Sequence, residues 1–336
     1  MGNYPRLFAP LSLRHTTLRN RIVMPPMVTM MAPDSAQASC WYAARAEGGA
    51  GLIIREATSV DLFQDPRFAD GLRATVEAVH AAGAAIAIQL FQRSETPSGE
   101  LLAPSEGPHG REVTDQELGE IVRRFAQAAS EAERVGFDGV EPHGAHGFFL
   151  NQFLSPASNR RLDFYGGSLE KRMRLGLEIV AAVRETVSEG LLLLYRHTAV
   201  GERYGLDDSI EFARRLERAG VDVLDISPST SDAEAPHADL AGAIKAAVSI
   251  PVIAVGGMQD PEAAEAVLHA GRADLVAIGR GLIADPCLPL RMQEGRTDQA
   301  IACVQCNELC FGNLQQGIPI GCAQNPASGH EFEQRR

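Results

Sequence analysis

Short apolar runs alternate along this chain with longer stretches of helical periodicity. The runs are Ile22–Met27, Gly51–Ser59, Ala84–Leu90, Gly139–His143, Leu191–Arg196, Val223–Ser227, Val252–Gly256 and Leu275–Gly279. Each is too short and too apolar for an amphipathic surface helix, and suits a parallel strand buried on both faces. Between them the pattern predicts helices such as Phe68–Ala82, Thr114–Val135, Leu169–Val187, Ile210–Ala219 and Pro261–Ala270. Gly83, Gly136, Gly220 and Gly271 follow helix ends and immediately precede the next strand. Glycine there is expected to supply a left-handed C-cap that turns the chain back. Eight strand–helix units within roughly 280 residues predict a closed α/β TIM (β/α)8 barrel. The rival, an open doubly wound sheet, needs a glycine-rich phosphate turn after its first strand; here Val28-Thr29-Met30-Met31 follows instead. From about Cys287 the periodicity fails, so the chain divides into a barrel over 1–286 and a C-terminal cysteine-rich extension over 287–336.

Composition narrows the function classes. Of the 336 residues 45% are hydrophobic and 22% charged, as in ordinary globular proteins. The formal net charge of −12 would repel a phosphate backbone, which excludes nucleic acid as a partner. No apolar stretch approaches the ~20 residues of a membrane helix. The opening MGNYPRLFAPLSLRH lacks the apolar core of a signal peptide. A cytoplasmic protein with reduced thiols is therefore expected. Cys40 and Cys287 stand alone, whereas Cys303, Cys306, Cys310 and Cys322 crowd together, which under reducing conditions reads as a metal site.

In such a barrel the chemistry gathers at the C-terminal strand ends. Gln89 closes strand three, Glu141, His143 and His146 strand four, and Arg196 strand five. The last two strands end in Val255-Gly256-Gly257 and Ile278-Gly279-Arg280-Gly281. Glycines there let backbone N–H groups approach an anion, and Arg280 can add a bidentate contact, so a phosphate-anchored cofactor is expected. His143 and His146 could also be metal ligands, but no third ligand stands at a suitable spacing. The cysteines read C-x2-C-x3-C-x11-C before Asn325-Pro326. Four such thiolates suit a cubane cluster or a structural zinc, and spacing does not separate the two.

The segment Leu18-Arg19-Asn20-Arg21-Ile22-Val23-Met24-Pro25-Pro26-Met27 resembles the opening strand of the Old Yellow Enzyme family of NADH:flavin oxidoreductases. The resemblance continues through Glu141-Pro142-His143-Gly144-Ala145-His146-Gly147, Asn151-Gln152-Phe153-Leu154-Ser155-Pro156, Asn159, Arg161, Asp163, Tyr165-Gly166-Gly167-Ser168 and Arg172. It covers about 12–325, and the cysteine tail is similar to the branch that includes 2,4-dienoyl-CoA reductase and trimethylamine dehydrogenase. The resemblance implies FMN, with Pro25, Pro26, Met27 and Val28 along the ring and Ala57 near it. It implies Gln89 at the pyrimidine side, Arg196 beside N1, and Gly256, Gly257, Gly279 and Arg280 around the phosphate. His143 and His146 would bind the carbonyl oxygen of a small-molecule substrate and act with Arg196 in catalysis, Phe148 would line the substrate site, and the four cysteines would carry a 4Fe-4S cluster.

The activity implied by the resemblance is that of an ene-reductase, moving hydride between flavin N5 and a carbon conjugated to an electron-withdrawing group in an enone, enoate or enoyl thioester. NADH, NADPH or an external electron donor or acceptor would serve the flavin. The alternatives are an oxidative dehydrogenase or amine demethylase passing electrons to the cluster, and an electron-transfer subunit of a larger complex. Three features depart from the family pattern. Phe148 stands where a proton-donating tyrosine is usual, and a phenyl ring cannot donate. Gln92 stands where histidine is common. The sequence also stops at Arg336 without the FAD and nicotinamide domains of its branch, so a separate reductase protein, direct reduction by nicotinamide or a sequence cut short of those domains is expected, as is a homo-oligomer.

Overall fold

The computed structural model describes residues 4–96, 98–228 and 237–335. Eight parallel strands close into a barrel in sequential order: β1 (Ile22–Met24), β2 (Leu52–Ser59), β3 (Ala85–Phe91), β4 (Gly139–Gly144), β5 (Leu192–Thr198), β6 (Val223–Ser227), β7 (Val252–Val255) and β8 (Leu275–Ala277). The outer ring comprises α1 (Ala36–Glu47), α2 (Pro66–Ala81), α3 (Asp115–Val135), α4 (Leu169–Thr186), α5 (Leu206–Arg218), α6 (His237–Lys245), α7 (Pro261–His269) and the short α8 (Arg280–Ala284). This is the (β/α)8 barrel expected from the alternation of patterns. None of the helices among the described residues is long and apolar enough to cross a membrane.

Strand alternation sorts each strand into two faces. One set, including Leu52, Ile54, Ala87, Leu192, Leu194, Val223, Ile253 and Leu275, packs as a cluster inside the barrel. The other set, including Ile53, Ile86, Ile88, Leu193, Leu224 and Val252, packs outward under the helices. Leu13 and Leu18 join the inner cluster from a hairpin of Leu11–Leu13 with Thr16–Leu18, which plugs the N-terminal end. The inner positions nearer the C-terminal end are polar, and that is where the site lies.

Several element boundaries differ from those the pattern predicts. Pro25 and Pro26 offer no N–H to a ladder, so β1 stops at Met24 and the segment leaves the sheet along the mouth. β7 and β8 end before their glycines. α1 lies within the stretch between the first two strands, where the periodicity suggests no helix; its apolar residues include many small alanines that dilute the pattern. Ser35 caps its start by accepting from the Ala38 N–H. α5 begins at Leu206, ahead of Ile210, because Asp207 and Asp208 occupy a favourable first turn. The four glycines expected at helix ends all have positive φ, at 75°, 103°, 103° and 67° in chain order. The loop 93–111 carries a short parallel pair, Leu102–Ala103 with Arg111–Glu112. Of the loop read over Pro228–Asp239, residues 229–236 lie outside the described residues, and α6 begins at His237.

Beyond α8 the chain forms a helix at Leu288–Gln293 and another at Phe311–Gln315, then returns against the barrel. Asn325 Nδ2 donates to the Ala284 carbonyl at 2.8 Å and Ser328 Oγ to that of Ile283 at 2.7 Å. Glu331 pairs with the buried Arg45 at 2.5 Å, whose guanidinium lies 3.2 Å from the Trp41 ring centroid. The Ile320 N–H donates to the Thr29 carbonyl at 2.9 Å, tying the tail to the segment that leaves β1.

Candidate active site

Sheet register assembles the mouth of the barrel. Gln89 on β3 lies beside Glu141 on β4, and Arg196 on β5 lies beside His143 on β4 and Asp225 on β6. Gln89 Nε2 donates to Glu141 Oε1 at 2.8 Å. Arg196 Nε forms an ion pair with Asp225 Oδ2 at 3.1 Å, and its Nη2 donates to Ser227 Oγ at 3.1 Å. Ser227 also meets His146 Nε2 at 2.9 Å. Ser227 Oγ thus accepts from Arg196 and shares a second hydrogen bond with His146 Nε2, which fixes the position of the ring. His146 holds a left-handed backbone at φ 57°, a conformation costly for a residue with a Cβ, and its N–H is pinned to Thr198 Oγ1 at 3.0 Å.

His143 is buried, and its Nδ1 has no partner among the described residues. Its ring lies 5.2 Å from that of His146 and 4.7 Å from that of Phe148. Phe148 in turn meets Phe91 edge-on at 6.0 Å. Burial and the Arg196 charge hold the His143 pKa well below the usual imidazole value. The same causes lower that of His146, which as a whole residue remains exposed, so solvent screens its shift more. Both rings are thus neutral donors near pH 7.

The carboxylates below are shifted the other way. Burial first, then the charge of Asp225, raises the Glu141 pKa against the opposing pull of Arg196 and Gln89. Burial likewise raises Asp225. Because the folded value of Glu141 lies above the unfolded one of about 4.3, folding holds a proton the unfolded chain releases. That contribution is intact below the unfolded value and is lost as pH rises towards the folded one. Urea unfolding of apoprotein should therefore show Glu141→Gln gaining on wild type between pH 5 and pH 8, by about tenfold or more in the folding equilibrium. An equal gap at both pH values would refute the shift.

Beside this mouth lies a cavity of about 550 Å3, within the range of ligand pockets. Pro26, Met27 and Val28 form one wall, and Gly256, Gly257, Gly279 and Arg280 another. Gly256 and Gly257 have φ of 109° and 73°, which a residue with a Cβ adopts only under strain, so this turn stays bare of side chains. Pro25 packs near Gly279, and a Cβ built there would meet its Cγ at 3.7 Å. Ala57 is half-buried at a register shift in β2 between Arg55 and Thr58. Gln92 is buried, with its Nε2 donating to the Arg93 carbonyl at 2.8 Å. The bare glycine turn, the Arg280 cation and the unpartnered buried polar atoms of Glu141 and His143 fit a phosphate-bearing ring cofactor.

The four cysteines of the tail are free and line one hollow together with Arg280, Ile283 and Asn307. Cys310 borders both this hollow and the larger cavity. Among the described residues, no three metal-ligating side chains close around a single ion. The structure therefore brings the sequence-predicted residues into two adjoining groups, one around the mouth and cavity and one in the tail. Asp225 and Ser227 join the first group without any motif to announce them, although both lie on a strand the pattern locates. Alternation along β6 puts them on one face, and only the barrel decides that this face looks inward.

A closed parallel barrel with this mouth and glycine-walled cavity defines a flavin oxidoreductase. The chain belongs to the NADH:flavin oxidoreductase / NADH oxidase family, whose model matches residues 6–299. NADH oxidase of Thermoanaerobacter brockii is 39% identical over 373 residues, covering 98% of this chain and 57% of that protein. Among solved structures, 2-naphthoyl-CoA reductase in complex with 2-naphthoyl-CoA superposes with a TM-score of 0.92 at 25% identity, covering 98% of this chain and 58% of that one. Histamine dehydrogenase from Rhizobium sp. 4-9 gives 0.89 at 28% identity, covering 98% and 53%. The chain thus spans little more than half the length of these relatives, and its match to them runs through the cysteine tail.

Proposed function

We propose that this chain reduces an alkene conjugated to a ketone, carboxylate or thioester carbonyl, with FMN in the barrel and a 4Fe-4S cluster in the tail. The observation that carries this reading is the convergence of two neutral imidazoles, His143 with an unpartnered Nδ1 and His146 held in place by Ser227. When bound, FMN supplies hydride to the substrate's β-carbon. His143 and His146 donate to the carbonyl oxygen, and negative charge building there is stabilised by donors already in place. Arg196, fixed by Asp225 and Ser227, holds a positive charge at the mouth. Phe91 and Phe148, packed edge-on, would give the substrate an apolar wall.

Protonation of the α-carbon falls to solvent. The Tyr165 hydroxyl donates to Glu178 at 2.9 Å, and that of Tyr204 donates to the Thr198 carbonyl at 2.9 Å while accepting from Asn151. Neither is available at the mouth. That lack favours a second reading, oxidation of a substrate such as an amine with electrons leaving through the tail, since this direction needs no acid. Two neutral donors suit an oxygen better than an ammonium, so reduction fits the pocket more closely. A stopped-flow survey of which compounds reoxidise reduced FMN-loaded protein tests the choice. Reoxidation by enones, enoates or enoyl thioesters supports the proposal. Reduction of the oxidised protein by amines, with no alkene turnover, would replace it with the second reading. Turnover of neither, with reduction by a partner protein, would mark an electron-transfer subunit.

For the tail, one zinc ion needs four thiolates at ~2.3 Å from one point, whereas a cubane spreads its ligands over a larger group. The four thiols share one hollow, which supports a common metal centre, and the resemblance of the tail to the iron–sulfur branch favours the cluster. Cys310 lies on the border with the larger cavity, which supports a reading in which the two cofactors are neighbours. Cys306→Ser is expected to remove the broad cluster absorbance and most bound iron and sulfide while FMN stays bound, because the cavity walls come mainly from the barrel. One equivalent of zinc without iron in anaerobically purified wild type would overturn the assignment.

A further inference from the structure

The layer beneath the mouth contains the buried carboxyls of Glu141 and Asp225 and the guanidinium of Arg196. Glu141 faces Gln89 from β3, Arg196 from β5 and Asp225 from β6, with the neutral His143 above it on its own strand. Ile54, Ile253 and Ala277, from β2, β7 and β8, are in the apolar interior cluster and add no charge. Glu56 on β2 is turned away, accepting from the Thr29 N–H at 2.6 Å, Thr29 Oγ1 at 2.9 Å and Tyr42. Asp225 has the direct ion pair with Arg196. Glu141 accepts from the neutral Gln89 amide at Oε1, and its Oε2 is buried with no partner among the described residues. With both carboxylates ionised the layer carries one uncompensated negative charge, in surroundings where an unpaired charge is expensive.

We propose that Glu141 is a redox-linked proton carrier, taking up one proton at Oε2 when two electrons enter the flavin bound above it. This rests on the flavin reading of the site. Hydride from a nicotinamide brings two electrons and one proton, leaving one net negative charge on the flavin. One further proton moves from water to the ionised Glu141, so the charge of the whole site is unchanged. Asp225 stays with Arg196 and keeps that cation in place. Glu141 is a positioning residue here, because it acts on the cofactor through charge and never touches substrate. It also orients Gln89, whose amide it holds through Oε1.

The test is the midpoint potential of FMN-loaded protein against pH, from about pH 6 to 10, in wild type and Glu141→Gln. Each proton taken up with two electrons is worth about 30 mV per pH unit. Wild type should show a window, where Glu141 is ionised in the oxidised protein, with a slope of about 60 mV per pH unit. Glu141→Gln should hold about 30 mV throughout. Identical slopes in the two proteins, with FMN bound in both, would overturn the proposal. A second readout needs no variant: the reduced-minus-oxidised infrared spectrum of wild type in that window should show a new protonated-carboxyl band that shifts in D2O. Its absence would also overturn the proposal. Failure of wild type to bind FMN at all would instead remove the flavin reading, and the proposal with it.

Discussion

Alanine at both His143 and His146 should cut alkene reduction by at least about 10²–10³-fold, the usual loss for a single donor to a developing oxyanion. It should also abolish tight binding of phenols, whose oxygen mimics the substrate oxygen between the two rings. The imidazoles are held neutral by burial and by Arg196, so they act as donors and not as acids, and the loss should be nearly the same from about pH 6 to 8. His146 carries an additional burden, its left-handed backbone at φ 57°. Asparagine tolerates that conformation better than other residues with a Cβ and keeps an N–H donor. His146→Asn should therefore recover much of the activity that His146→Ala loses. Steady-state rates with an activated enone, together with phenol titrations of the flavin absorbance, measure both effects. A double alanine variant that binds phenols and turns over like wild type would remove the oxygen-anchoring role.

The second large effect runs upward. Phe148 caps the short helix Phe149–Leu154, is 44% exposed and packs 4.7 Å from the His143 ring. A hydroxyl added to this partly exposed ring would supply the acid that Tyr165 and Tyr204 cannot, because their own hydroxyls are engaged elsewhere. General acid catalysis is typically worth ~10²–10⁴-fold. Phe148→Tyr should accordingly raise alkene reduction at least tenfold and diminish its solvent isotope effect. Hydride transfer from nicotinamide should change little. If the native direction is oxidative, the same substitution should leave turnover unchanged or slower. Fast enone reduction by wild type with no solvent isotope effect would show that an acid elsewhere already does this job.

His143, His146 and Phe148 fall within one continuous motif that begins at the end of a strand and runs into the loop after it, so their types and order are present in the chain itself. The barrel is legible for a similar reason: buried parallel strands must be apolar on both faces, and helices between them must be amphipathic. α1 escapes the pattern because small alanines weaken an apolar stripe without weakening helix formation. β1 is shorter than its apolar run because the prolines stay apolar while leaving the sheet.

What the sequence by itself determined is therefore local: eight buried strands, the glycine turns that close the helices, the glycines of the cavity wall, and four cysteines at a ligand spacing. The tertiary structure decided which of these meet. Barrel closure and register put Asp225 and Ser227 against Arg196, and through Ser227 hold the His146 ring, although these residues are far apart in the chain. The fold of the tail brought Cys310 to the edge of the larger cavity. The protonation of Glu141 was equally out of reach from sequence. It depends on how deeply the carboxyl is buried and on one cation being shared between two acids, and both are properties of the closed barrel.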